Sequence, residues 1–394
     1  MKTAGTSWTR RLAKGWLILL VLVALGADWI ANDRPIAASV EGEIRFPVAA
    51  DVLRQIGFGS NSLTLTTDWY QAKTDWALWP PIPYDGVRSD LTNGGFLSPF
   101  AAQDTGERAR HLLGTDRLGR DVAAGLVYGT RVALFVGVGA VFIGLLLGIS
   151  LGSIGGFFGN RGLRLRWSRL IGFACGLLVG SVYSITALAP YVQLENPLFI
   201  GLFALAVSGL LGILLSWLFN QFSRLREPVA LPTDSVVLQL IEIFVNIPGL
   251  IFLLAVLSLA PQPSIGLLAA VTGVLSWPTI ARFTRAELLR IRSLPYIRTA
   301  LGNGISPWRV LTHHALPNAF GPLLVVVAFT AGSAILAEGF LSFLGIGLPN
   351  DVATWGTLLR RSREQPLAWW LAIFPGLMIT LTVLAVQVLG GRRE

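Results

Sequence analysis

Residues 296 to 318 read YIRTALGNGISPWRVLTHHALPN, a basic stretch broken by glycine and proline that stands between two of the most apolar runs in the chain. Before it, Arg282, Arg285, Arg290 and Arg292 appear while Leu288, Leu289 and Ile291 keep a helical period, so a helix runs on past the bilayer into water. Pro295 lacks a backbone donor and disfavours helix at the residue before it, which ends that projection. From Tyr296 to Leu301 the pattern predicts a short amphipathic helix, with Ile297, Ala300 and Leu301 on one side and Arg298 on the other, closed by Gly302 and Gly304. Ser306 as N-cap and Pro307 at the first helical position start a second helix through Trp308, Val310 and Leu311, ending at Pro317. Neither helix can cross a bilayer. Two short helices with a small-residue turn, held between spans, form a knob suited to a socket on another protein.

The rest of the chain makes those flanking runs membrane helices. Of 394 residues 53% are hydrophobic and 13% charged, with a mean hydropathy of +0.63, a balance that one water-soluble core cannot hide. Windows near 14–31, 130–158, 168–190, 197–220, 236–259, 264–282, 319–345 and 367–390 each approach the roughly 20 apolar residues a span needs, which makes eight. Long apolar runs with little alternation exclude a barrel, so the fold class is an all-α integral membrane bundle.

The net charge of +9 and pI near 10.4 are read as topology, not as a nucleic-acid surface. Arg161, Arg164, Arg166, Arg169, Arg224, Arg226, Arg392 and Arg393 fall on one face with the N-terminus and the knob, which the positive-inside tendency makes cytoplasmic. Residues 32–128 then form an extracytoplasmic segment. Within it Trp69, Trp76, Trp79 and Tyr84 stand beside Pro80, Pro81 and Pro83, either as a docking surface or as interface and core aromatics. The first run follows Lys2, Arg10, Arg11 and Lys14 and has two readings, a cleaved signal peptide or a retained helix; its length through Trp29 and Ile30 favours retention.

Chemistry is sparse. Cys175 stands alone, so no cysteine metal cluster or disulfide framework forms, and Lys2, Lys14 and Lys73 do not follow a glycine, so no phosphate-binding loop is present. His313 and His314 are adjacent and point about 100° apart on a helix, against a shared metal. Asp116 and Asp121 read as caps and partners of Arg117 or Arg120. Glu242, with Asn246 after it and Pro248 able to kink its helix, and Glu338 are candidates for a translocation path or its gating contacts, because intramembrane carboxylates face interiors or cavities.

Three motifs carry a resemblance. Tyr296, Ala300, Gly304, His314, Leu316 and Pro317 are similar to the EAA loop of ABC importer permeases; Gly114, Thr115, Asp116, Gly119, Arg120 and Asp121 follow the G-T-D-x-x-G-R-D of the dipeptide and oligopeptide family; and AEGFLSFLGIGLP from Ala337 resembles its E-x-x-L-S-F-L-G-x-G. The long segment with EGEIRFPV and WPPIPY resembles the microcin C and oligopeptide branch. Arg298 and Thr299 depart from the glutamate and alanine usual at the head of the loop. The resemblance implies a type I importer transmembrane domain in the bacterial inner membrane, with a six-span core and an inserted pair of spans: 1–31 first helix, 32–128 segment, 129–160 core helix, 161–230 insertion, and 231–394 core with a coupling loop at 283–318. It further implies a B-type permease, two ABC ATPases that hold ATP and magnesium while this chain binds no cofactor, and an extracytoplasmic solute-binding protein. A membrane enzyme would instead need paired acids or histidines at the interface, and a secondary transporter two repeated halves.

Overall fold

A computed structural model describes residues 4–40, 42–55, 69–70, 72, 74–104, 109–188, 197–260, 262–349 and 351–391. Lys2, Lys73, Arg392, Arg393 and the linker at 189–196 lie outside the described residues. The chain divides into two compact units, one of Met1–Ser150, Ile243–Thr284 and Pro317–Glu394, the other of Leu151–Glu242 and Arg285–Leu316.

Helices dominate the first unit. Ala4–Leu25 leads to the short Ala27–Ile30, Val122–Ser153 forms a long entry helix, and Trp370–Gly390 closes the chain. Leu20, Leu126, Trp355, Leu358 and Leu371 pack in one apolar cluster, and Val136, Leu257, Leu268 and Leu341 in another. Close approach of helices relies on small residues: a Cβ on Gly148 would come within 2.6 Å of the Ile280 Cβ, and Gly144 faces the Ser276 hydroxyl. Residues 37–78 carry a three-stranded antiparallel sheet in which Ala37–Val40 lies between Glu43–Arg45 and Trp76–Leu78. Trp69 and Tyr84 are buried, Tyr70 stacks on Trp79 at 4.2 Å, and Trp76 is exposed, so most of the aromatic cluster fills a small core.

Each of the eight apolar windows falls largely on helix among the described residues. Among the described residues four helices are long and apolar enough to cross a membrane, or five if a bent pair counts as one span. The window at 236–259 is that pair, Thr233–Asn246 and Gly249–Leu259, set at 79°. Pro248 has no N–H to continue the ladder and forces Ile247 out of helical geometry, so the helix breaks there rather than bending. The first helix begins at Ala4 and includes Arg10, Arg11 and Lys14, which lower its hydropathy. The inserted pair forms two apolar helices, Trp167–Leu188 and Pro197–Phe219, of 22 and 23 residues.

In the second unit Trp167–Leu188 and Pro197–Phe219 form an antiparallel hairpin. Gly172, Gly176 and Gly180 face Ser216, Gly212 and Ser208, with no room for a Cβ on any of the three. At its base Arg164–Arg166 pairs with Pro228–Ala230 in a two-stranded ladder.

Candidate functional site

The knob forms as its sequence dictates, with two amendments. Its first helix is Pro295–Gly302, and Ile297 turns inward while Tyr296, Arg298 and Thr299 face out. Gly304 has φ +80, its N–H donates to the Leu301 carbonyl at 3.1 Å, and Ile305 donates to Ala300 at 3.2 Å, the paired bonds of a Schellman turn. A Cβ on Gly304 would meet nothing within 4 Å, so only the backbone demands glycine there. Ser306 precedes Pro307 but its hydroxyl makes no cap bond, contrary to expectation; the proline at the first helical position, whose fixed φ is already helical, starts the helix without it. Nor does the helix end at Pro317. A π turn over Leu311–Ala315, closed by the Leu316 N–H on the Leu311 carbonyl, makes room for the proline ring, and the chain continues as Leu316–Leu344. Ala300 and Leu316 are half-buried, Pro317, His313 and His314 exposed, and Val310, Leu311 and Ala315 buried. The Trp308 ring lies 4.7 Å from Phe158, and Arg285 grips Asp234 through Nε at 2.5 Å and Nη2 at 2.8 Å. The result is a braced polar and aromatic surface with an apolar underside.

The turn at Gly114 to Asp121 is structural. Gly114 and Gly119 have φ +79 and +75, and the space a Cβ would take is filled by the Leu97 and Asp90 carbonyls respectively. Asp116 accepts from the N–H groups of Leu118 and Arg120, both at 2.9 Å, and its other oxygen meets Arg361 Nη1 at 3.0 Å. That partner corrects the expected Arg117 or Arg120, whose positions place them on the turn itself; the helix Trp355–Ser362 supplies the guanidinium instead. Burial pushes the Arg361 guanidinium below its ordinary pKa, and the Asp116 charge opposes the shift. Asp121 caps the entry helix, accepting from Ala124 N–H at 2.6 Å, and its second oxygen lies 2.8 Å from His111 Nδ1. Thr115, fully buried, donates to the Asn93 carbonyl and its own carbonyl accepts from Trp370 Nε1 at 3.0 Å. Sequence reading missed Arg361, Asp90 and Trp370, and the signal available was a buried aspartate needing a cation.

Glu242 and Asn246 are exposed on the first half of the bent pair, whereas Glu338 is buried and accepts from Ser342 Oγ at 2.8 Å. None of the three lines the cavity of about 320 Å³ that lies among Gly249–Leu259, Ile265–Arg292 and Leu316–Leu344. That cavity presents hydroxyls instead: Thr272, Ser276 and Thr279 from one helix, Thr330 and Ser333 from another, among small and aliphatic side chains and the Phe329 ring, without a charge. Its sequence signal was the i, i+4, i+7 spacing of Thr272, Ser276 and Thr279 on one helical face.

Residues 231–392 match the family described as binding-protein-dependent transport system inner membrane component. The chain is 26% identical over 384 residues to the peptidoglycan transport system permease protein YejE of Agrobacterium fabrum, covering 91% of this chain and 81% of that protein. It is 27% identical over 306 residues to the dipeptide transport system permease protein DppC of Bacillus subtilis, 75% of this chain and 73% of that one, and 25% identical over 383 residues to the inner membrane ABC transporter permease protein YejE of Escherichia coli, 95% and 89%. With the helical bundle, the knob and the three motifs, these matches make residues 231–392 an inner membrane component domain of binding-protein-dependent transport, in a multi-pass chain that is similar over most of its length to permease proteins of peptide ABC transporters.

Proposed function

We propose that the chain is the C-type permease of a peptide importer, working beside a B-type permease, driven by two separate ABC ATPases and supplied by an extracytoplasmic solute-binding protein. The carrying observation is the knob: a Schellman turn at Gly304 fixes two helices so that Tyr296, Arg298, Thr299, Trp308 and His314 face outward from a buried base. In this reading the knob is cytoplasmic, residues 32–128 are extracytoplasmic, and ATP with magnesium is held and hydrolysed on the partner subunits. Helix Ile265–Arg292 enters the knob and helix Leu316–Leu344 leaves it, and the same two helices carry the hydroxyls of the cavity. Closure of the ATPases would displace the knob as a lever and tilt both walls, opening the path first to one side and then to the other. An uncharged wall of serine and threonine suits peptide amides: Thr272 and Ser276 donate to carbonyls of their own helix and so present acceptor oxygens to an amide N–H, and a wall without charge selects no particular side chain.

The test uses a variant with Cys175→Ser, leaving no other cysteine, and Thr299→Cys at the knob. In whole cells the new thiol should crosslink to an ATPase subunit, and Gly304→Trp in the parent should cut uptake of radiolabelled oligopeptides at least ~10-fold with the protein still inserted, through backbone strain and a bulk on the docking face. An adduct with no ATPase, or uptake unchanged, overturns the assignment.

A further inference from the structure

We propose that the base of the hairpin is a binding surface for anionic phospholipid headgroups. Arg161, Arg164, Arg166, Arg169 and Arg224 are all exposed there, and among the described residues none forms an ion pair. Within the described part of residues 161–230 Glu227 is the only carboxylate, so the collar carries a large uncompensated positive charge. Its arrangement is fixed: the register Arg164 with Ala230 and Arg166 with Pro228 holds the two arginines on one face of a strand, with Leu165 turned away and half-buried. Directly above the collar the hairpin exposes large apolar side chains, among them Leu177, Val182, Leu210, Leu214 and Trp217, because its glycine and serine stripe is consumed between the two helices. Trp167 and Phe222, both exposed, mark the junction of basic and apolar zones, as aromatic residues do at a bilayer interface.

Charge and apolar wall together select the occupant. A guanidinium pairs with phosphate oxygens through a planar fork, and the wall beyond it accepts acyl chains. A soluble phosphate would leave the apolar zone uncovered, and an acidic protein would have to match both zones at once. Phosphatidylglycerol or cardiolipin supplies the two features in one molecule.

The full-length permease, purified with its associated subunits, is placed in phosphatidylcholine nanodiscs with or without cardiolipin, and retained lipid is counted by native mass spectrometry. Arg164→Gln with Arg166→Gln should reduce retained cardiolipin about tenfold. Arg164→Lys with Arg166→Lys should keep most of it, and the charge-matched pair Arg45→Gln with Arg54→Gln should keep all of it. Equal retention in the glutamine and parent proteins overturns the proposal, as does equal loss in the Arg45 and Arg54 control. Displacement of cardiolipin by inorganic phosphate from the parent would also overturn it, in favour of a soluble-anion site. Helical circular dichroism of each variant establishes that the hairpin is folded when the lipid is counted.

Discussion

At the scale of single residues, Asp116 and Arg361 show how a turn far from any chemistry is held. Both side chains are almost wholly buried, and the guanidinium closes a carboxylate that already accepts two backbone donors. Removing one member leaves the other charged and dry, so Arg361→Met should cost about 3 kcal/mol, whereas Arg361→Met with Asp116→Asn should cost less than the two singles added. Thermal unfolding of the four proteins in detergent measures the cycle, and strict additivity would remove the pair from the account. Asp85 behaves in the opposite sense. Burial raises its carboxyl pKa, and Asp33 nearby adds to that, while the Gly86 and Val87 amides and Arg34 pull it down less. The folded state therefore holds this proton more tightly than the unfolded chain, and stability present below the ordinary aspartate range is lost as pH rises through the folded value. Asp85→Asn should raise the melting midpoint near pH 7 and leave it unaltered near pH 3; a gain of equal size at both would mean the charge is irrelevant.

At the scale of elements, the hairpin offers the sharpest test of packing. Gly176 faces the Gly212 backbone with no space for a side chain, so Gly176→Leu must drive the helices to the ~8–10 Å axial separation of ordinary pairs. Spin labels at positions 177 and 214, both on exposed faces, should report a longer distance in the variant, and an unchanged distance would refute the contact. The elements differ in how plainly the sequence declared them. The knob was legible because glycine and proline act locally: Pro295, Gly304 and Pro307 fix backbone geometry wherever they stand. The break at Pro248 was foreshadowed only as a kink, since a proline limits its own helix but does not say whether a neighbour re-satisfies the freed carbonyls. The apolar windows located the helices, but a window counts apolar residues whether or not one straight helix contains them, so the 79° bend within 236–259 did not show in it. Arg361 was hidden for another reason: its partner lies in a different segment, and no periodic signal links residues that meet only after folding. The hydroxyl cavity was readable on one helix and unreadable as a cavity, since Thr330 and Ser333 come from another.

At the scale of the whole molecule, the first helix decides whether residues 4–31 are part of the working bundle or a leader removed on export. Its contacts favour the bundle. Leu20 is buried in the main apolar cluster, Trp16 Nε1 donates to Thr382 Oγ1 at 3.2 Å, and Tyr128 OH donates to the Ala31 carbonyl at 2.9 Å. Arg131 adds a bond from Nε to the Ala24 carbonyl at 3.0 Å and one from Nη2 to Asp28 at 2.8 Å. Cleavage after this stretch would strip Arg131 of its carboxylate and leave the Thr382 face of the last helix bare. The mature protein isolated from membranes should therefore retain Trp16 and Asp28, as intact mass spectrometry can determine. Asp28→Asn should lower the melting midpoint by a few degrees, the shift expected of about 1 kcal/mol in a pair whose arginine is partly solvated. A mature chain beginning beyond residue 31, or an Asp28→Asn protein that melts with the parent, would place the helix outside the functional body.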